Sequence, residues 1–332
     1  MVTRILTPAV IHNTTNNEYL VVWGGENQGL ADEWEIYGQR IDGSTGTGTG
    51  TNELGSNDFR ISDMGADAST AYSGFEPDIA YNSFNNEYLV VWEGEDDISP
   101  LVAGETEIFG QRLLGATAAE TGSNDFRISD MGTDGDTSIS VFAPAVSYNS
   151  ANNEYLVVWD GDDDSGSLVD GEFEIYGQRL VASTGVEVGS NDFRLSDMGT
   201  DGSSTIDGFS SAVAYTSESN EYLVVWNGDD DTGGTVDDEF EIYGQRVEIA
   251  LSLVINEIDY DQPGTDNNEF IELKNTGDSA IDLSNFTIEL YNESLTSVYR
   301  TITLPSALLA AGDYYVICGD ANRRVGCCHW SL

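Results

Sequence analysis

The chain has 332 residues, 39% of them hydrophobic, enough to fill a packed core and too many for a disordered tail. Twelve Lys and Arg against 59 Asp and Glu leave a net charge of −47, a field that repels phosphate backbones and anionic lipid and so argues against nucleic-acid and membrane partners. The same charge favours divalent cations, basic partners or a high-salt habitat, with a simple solvated acidic surface as the plain alternative.

The first strand-like residues follow Met1 directly, with no secretory leader, and no apolar run reaches the length of a membrane-spanning helix. From there internal repetition organises the sequence. EYLVVW recurs at Glu18–Trp23, Glu87–Trp92, Glu154–Trp159 and Glu221–Trp226, so the tryptophans step by 69, 67 and 67 residues. EI(Y/F)GQR recurs at Glu35–Arg40, Glu107–Arg112, Glu174–Arg179 and Glu241–Arg246, and GSNDFR(I/L)SDMG at Gly55–Gly65, Gly122–Gly132 and Gly189–Gly199.

Each unit predicts four short strands: one like Pro144–Asn149, an Asn-rich turn, then Glu154–Trp159, an acidic loop, Glu174–Leu180, and Phe193–Ser196. No segment has a helical apolar period. The expected fold is all-β: a β-propeller-like domain of four units, one blade each, over residues 1–249, with a linear β-array as the competing arrangement. The fourth unit lacks its FR(I/L)S strand, and Met1–Leu6 is the candidate to supply it and close the ring. The short step from Arg4 to Pro8, 4 residues where Arg60 to Pro77 takes 17, stands against that closure. The repeated arginines, Arg40, Arg112, Arg179 and Arg246 with Arg60, Arg127 and Arg194, are expected to pair with repeated carboxylates such as Glu35 or Asp63.

The acidic loops are the candidate sites. Asp160, Asp162 and Asp164 alternate before Gly166; Asn227, Asp229 and Asp231 repeat this before Gly233; Glu93, Glu95 and Asp97 form a looser version, and the first unit, with Gly24, Glu26 and Gln28, has lost it. Alternating oxygen ligands in a glycine-bearing loop suit calcium, a hard cation taking six to eight oxygens; a solvated acidic turn is the competing reading. Asp130, Asp134 and Asp136 make a weaker case of the same kind.

Only His12 and His329 are present, so a Ser-His-Asp triad or a histidine-rich zinc site has no basis. The repeated Trp23, Trp92, Trp159 and Trp226 read as core residues before sugar-stacking platforms. A glycosidase with two carboxylates is the enzyme alternative. Its mark would be a carboxylate pair in the propeller channel that the other units lack.

From about Leu251 the pattern changes, and residues 250–320 form a second region. The strings NEI (Asn256, Glu257), EFIEL (Glu269 to Leu273), NTG (Asn275, Gly277) and DLS (Asp282, Leu283), with Phe286, fall in an order that resembles the lamin tail domain. The resemblance implies an immunoglobulin-like β-sandwich, an accessory or interaction module on an exported bacterial protein, and no catalysis of its own. The last stretch, residues 321–332, has no acidic residue and holds Cys327 and Cys328, with Cys318 just before it; no disulfide framework reaches the repeats. The expectation is a reading frame that leaves the sandwich short of its final strands, with residues after Asn322 outside any sheet. Together these readings predict a secreted or cell-surface binding or scaffolding protein with calcium-supported loops, not an enzyme, with a glycan-acting enzyme as the alternative.

Overall fold

A strand of sequence EYLVVW turns side chains alternately to two faces, and here both faces are apolar, so it must be covered on both sides. The computed structural model describes residues 4–26, 33–44, 52–66, 71–96, 99–163, 168–198, 200–204, 207–229, 240–249, 253–259, 270–277, 280–291, 297–318 and 328–330. The repeats form successive antiparallel sheets, the blades. The first is β1 (Ile5–Asn13), β2 (Glu18–Glu26), β3 (Trp34–Asp42) and β4 (Glu53–Arg60). The second is β5 (Gly74–Asn82), β6 (Glu87–Gly94), β7 (Glu107–Leu114) and β8 (Glu120–Arg127). The third is β9 (Val141–Asn149), β10 (Glu154–Asp162), β11 (Phe173–Val181) and β12 (Glu187–Arg194). The fourth has β13 (Gly208–Thr216), β14 (Glu221–Asp229) and β15 (Phe240–Glu248) among the described residues.

The Asn-rich turns are built by their own side chains. Asn13, Asn82 and Asn149 each accept two backbone N–H bonds at 2.8–3.0 Å from the residues two and three places on. Asn17, Asn86, Asn153 and Asn220 then take the left-handed backbone, φ 51–54°, that Asn tolerates best after Gly.

The blades pack in sequence. The face of blade one toward blade two carries Leu20, Val22, Ile36, Ile61 and Met64, which meet Ile79, Tyr81, Tyr88, Val90 and Trp92 of blade two. The next seam repeats the recipe: Leu89, Val91, Ile108, Ile128 and Met131 meet Val146, Tyr155, Val157 and Trp159. Each blade thus has a leading face of Tyr, Val and Trp toward its predecessor and a trailing face of Leu, Val and Ile toward its successor. A buried aliphatic side chain here contributes about 1.5–3 kcal/mol. All four repeated tryptophans are buried, as core residues should be.

Charge is folded in by fixed brackets. Ser62, Ser129 and Ser196 donate their hydroxyls to the buried Glu35, Glu107 and Glu174, and accept from the amides of Ile36, Ile108 and Ile175 at 2.6–2.7 Å. Arg60 pairs with Asp63 at 2.6 Å and lies 3.7 Å from Glu35, as expected. The GQR arginines choose a different partner, the Glu that opens EYLVVW: Arg40 with Glu18 at 2.6 Å, Arg112 with Glu87 and Arg179 with Glu154 at 2.7 Å, and Arg246 with Glu221. That Glu also accepts from the next blade, Tyr88 donating to Glu18 at 3.3 Å.

Among the described residues the borrowed closing strand is not formed. Ile5 and Leu6 belong to the inner strand β1, opposite Gly25 and Gly24, and Arg4 lies over the Trp34 ring rather than in an outer strand. A bulge between Leu6 and Ala9 spends the residues that a crossover would need.

The chain divides into two compact units: Glu248–Leu332 with the turns Asn149–Asn153 and Ser217–Asn220, and the remainder. In the second, β16 (Leu253–Asp259) and β17 (Phe270–Asn275) lead into short β18 (Ile281–Asp282), β19 (Thr287–Tyr291), β20 (Val298–Thr303), β21 (Leu308–Leu309), β22 (Tyr314–Cys318) and β23 (Cys328–Trp330). The sheets run β16-β17-β22-β23, β18-β21 and β19-β20, around Leu273, Leu283, Leu304, Leu309 and Tyr315. The motif residues are fasteners: Asn256 donates to Glu272, buried Asn275 donates to the Leu309 carbonyl and accepts from Gly277, and Asp282 caps Ser284. The expectation for the tail fails, because Cys328–Trp330 pairs as an edge strand on β22, Trp330 opposite Tyr314. Three β-compatible residues suffice to extend an open edge. No helix among the described residues is long and apolar enough to cross a membrane.

Burial pushes Glu35 up to about 7 and Glu107 to about 8, with Asp125 and Asp192 at about 7. These groups hold protons in the fold that the unfolded chain releases near its ordinary carboxyl range, so their stabilisation is full at low pH and is lost as pH rises through 7 to 8. The melting temperature should therefore be higher near pH 5.5 than near pH 8.5, by about 5 °C or more. Calorimetry at constant ionic strength checks this, and a flat or rising profile would contradict it. Ser129→Ala should cost about 1–3 kcal/mol in urea unfolding, since it strips both Glu107 and the Ile108 amide of a buried partner, whereas Ser44→Ala in an exposed turn should cost less than about 0.5 kcal/mol.

Candidate functional site

The inner strands of all four blades line one cavity of about 460 Å³, through Thr7, Pro8 and Ala9 of β1, Glu76, Pro77 and Asp78 of β5, Ala143, Pro144 and Ala145 of β9, and Ser210 and Ser211 of β13. At each strand the first of these residues sits in the left-handed region: Thr7 at φ 43°, Glu76 at 49°, Ala143 at 50° and Ser210 at 54°. The ladders to β2, β6 and β14 slip at the same point, a bulge that breaks strand pairing and aims side chains at the axis.

The four strands are equivalent in backbone and unlike in chemistry. Where blade two has Glu76 and Asp78, the others have Thr7 and Ala9, Ala143 and Ala145, Ser210 and Ala212. One blade alone therefore brings two carboxylates to the cavity. Glu76 is exposed, while Asp78 is partly buried and accepts from the Val146 amide at 2.8 Å. Burial raises the Asp78 pKa, against the lowering effect of its backbone hydrogen bonds.

Behind the cavity stand two more acids. Glu93 accepts from the Ala143 amide at 3.0 Å, and Asp160 from the Ser210 and Ser211 amides at 2.8 and 3.3 Å. Burial first, then the negative charge of Glu76, pushes Glu93 up to about 7 and Asp160 to about 6. In blade one the equivalent residue is Gly24, which lies beside the backbone of Gly74 and Phe75 and brings no carboxylate.

The residues expected to hold calcium divide accordingly. Glu93, Asp160 and Asn227 lie in strands β6, β10 and β14, and the two acids clasp the bulge of the following blade. Asp162 accepts from Gly171 at 2.9 Å and Glu95 from Gly104 at 2.7 Å, each within its own loop, and Asp229 is buried at the end of β14. Asp97, Asp164 and Asp231 lie outside the described residues, as do Gln28, Gly166 and Gly233. Among the described residues no three acidic, His or Cys side chains converge as a metal site. Asp130 and Asp134 are both held by Arg127 at 2.6 Å, and Asp136 caps Ser138.

Sequence reasoning missed Glu76 and Asp78. Their signal was present: aligning the four inner strands on Pro8, Pro77, Pro144 and Ser211 leaves acids beside the proline in one unit only. The expectation of a binding or scaffolding module that is not an enzyme is corrected by this pair, which is the mark set above for the enzyme alternative.

No curated protein matches the sequence. The chain is similar to several solved structures. An N-acetylgalactosamine deacetylase from F. plautii, in complex with blood group B trisaccharide, is 12% identical over 95% of this chain and 90% of its own, with a TM-score of 0.45. An exo-1,5-alpha-L-arabinanase from a bovine ruminal metagenomic library is 9% identical over 77% and 75%, with a TM-score of 0.44. A thermostable family-43 glycoside hydrolase is 13% identical over 80% and 78%, with a TM-score of 0.43. The β-propeller-like repeats are followed by a region, residues 247–326, that matches the Lamin Tail Domain family.

Proposed function

We propose that the repeat domain is a glycan-acting hydrolase whose chemistry lies in the central cavity. The observation that supports it is the Glu76–Asp78 pair, carried by one inner strand of four. Repeated acids here are held by an Arg, a Ser or a backbone amide; Asp78 also accepts from the Val146 amide of the next blade, but neither it nor the exposed Glu76 has a counterpart in the other three blades. Hydrolysis of a glycosidic bond needs one carboxyl that gives a proton to the departing oxygen and one carboxylate that acts as base or nucleophile. Asp78, partly buried and raised in pKa, is suited to the first role, and the exposed Glu76 to the second. Glu93 and Asp160 behind the cavity, raised to about 7 and about 6, are largely neutral at mildly acidic pH and so add little negative charge behind the pair.

A panel of chromogenic glycosides and plant and host polysaccharides tests this. On any substrate that is turned over, Glu76→Gln should lower kcat by about 100-fold or more while leaving the melting temperature unchanged, since its side chain is exposed. The rate should fall on the alkaline side as Asp78 loses the proton it must donate. A variant as active as the parent, or a panel left untouched, would overturn the reading.

Calcium at the turns leaving β10 and β14, and a place outside the cell, are part of the same proposal; the −47 charge and the acidic strand ends at Asp162 and Asp229 support them. Calcium should raise the melting temperature more than magnesium or sodium chloride at matched ionic strength, because it would stabilise the folded chain by mass action and takes six to eight oxygens in a less demanding geometry than magnesium. Equal shifts would mean charge screening alone.

A further inference from the structure

Blades one to three each carry an outer strand, β4, β8 or β12, docked on β3, β7 or β11. In blade four the matching inner partner is β15, and among the described residues no fourth strand lies beside it. The place is at the outer edge of the sheet, with β14 between β15 and the cavity-lining β13. β15 repeats the EIYGQR of β3 and β11, so it offers the same groups to an edge that stands open. Ile36, Ile108 and Ile175 are 0% exposed, whereas Ile242 is 76% exposed. Glu35, Glu107 and Glu174 are buried, as are Gln39, Gln111 and Gln178, while Glu241 and Gln245 are exposed.

Three kinds of contact hold the outer strands that are present. The carbonyls of Ile36, Ile108 and Ile175 accept from the amides of Ile61, Ile128 and Leu195 at 2.7 Å. The side chains of Gln39, Gln111 and Gln178 accept from the Asp58, Asp125 and Asp192 amides at 2.9–3.0 Å. Among the described residues Gln245 makes only the bond to its neighbour's carbonyl, Arg246, at 3.0 Å, a bond the other three make as well. The glycine of GQR leaves a slot for phenylalanine. A methyl group added at Gly38, Gly110 or Gly177 would stand 2.9–3.3 Å from Phe59, Phe126 or Phe193. At Gly244, which is exposed, the nearest atoms belong to Leu223, Val224 and Val225 of β14.

We propose that the free edge of β15 takes a fourth strand from a different protein: an extended segment reading Asp-Phe-Arg, then Ile or Leu, then Ser, antiparallel to β15. The register follows blade three, where Phe193 lies opposite Gly177 and Arg194 opposite Tyr176. The guest Phe then fills the slot at Gly244 and the guest Arg stands opposite Tyr243. The guest Ser takes the part of Ser196, accepting from the Ile242 amide and donating to Glu241. The occupant is argued from the three edges already filled, each by this pattern, and from charge: the guest Arg approaches Glu241 as Arg60 and Arg127 approach Glu35 and Glu107, at 3.7 Å. A second copy has its own three such segments engaged as β4, β8 and β12, so the guest comes from another chain type. This inference rests on the outer strands and stands apart from the hydrolase reading.

A labelled peptide with the sequence of residues 122–132, GSNDFRISDMG, titrated against the full chain by fluorescence anisotropy, tests it beside a scrambled peptide. The ordered peptide should bind saturably, one per chain, and should slow hydrogen exchange in β15 while leaving β3, β7 and β11 unchanged. Glu241→Lys, at an exposed side chain, should leave the circular dichroism spectrum as it is and weaken the peptide by about 10-fold or more. A peptide carrying Arg127→Glu should bind that variant better than it binds the parent chain. Equal binding of the scrambled peptide, no binding at all, exchange in β15 that the peptide does not slow, or indifference to Glu241→Lys would each overturn the proposal. So would a chain that sediments as a dimer with β15 already protected, since the occupant would then be a second copy.

Discussion

The seam between blades is the constraint on which the rest of the structure depends. A strand apolar on both faces cannot rest on water, so each four-stranded sheet needs a neighbour on either side. The repeat meets this need with one recipe, Leu, Val and Ile answering Tyr, Val and Trp, written into two faces of the same strands. Because every seam is alike, a single unit length of sequence specifies the whole domain, and stability passes from blade to blade as nearest-neighbour contact. The acids that accompany the seams are tolerated because each finds a partner: Ser129 for Glu107, the Ala143 amide for Glu93, the Asp63 amide for Asp125. Burial then holds them near neutrality in pKa, which lets a chain of this charge be compact.

The cavity is a by-product of the seams that evolution can decorate without disturbing them. Inner strands take the left-handed backbone at the same residue in each blade, and two or three consecutive residues there line the cavity. Changing Ala143 or Ser210 to an acid would leave the Leu–Tyr–Trp packing behind it untouched. Glu76 and Asp78 are such a change made in one blade.

What was legible in the sequence was what repetition and alternation carry. EYLVVW gave strand, burial and period together, so the blades and the buried tryptophans could be read directly. The partners of the arginines were only half legible: Arg60 reaches Asp63 three residues on, but Arg40 reaches Glu18 across a strand register that no local spacing displays. Glu93 and Asp160 looked like loop ligands because they follow the apolar run, yet β6 and β10 continue past them and present them to the next blade. The first and last strands misled for a related reason. Ile5–Leu6 and Cys328–Trp330 join sheets through backbone hydrogen bonds, which leave little trace in residue type at an edge. Glu76 and Asp78 are hidden from a reading of the repeats, because a site differs from its scaffold where the units do not agree.

Native-state hydrogen exchange, followed strand by strand by mass spectrometry in dilute protein, tests the dependence on seams most directly. Strands β6 and β10, flanked on both faces, should exchange only through global unfolding, and β15, with Ile242 open to water, through a smaller opening of lower free energy. Protection in β15 equal to that in β10 would contradict the account, since it would mean that a blade holds together without a successor.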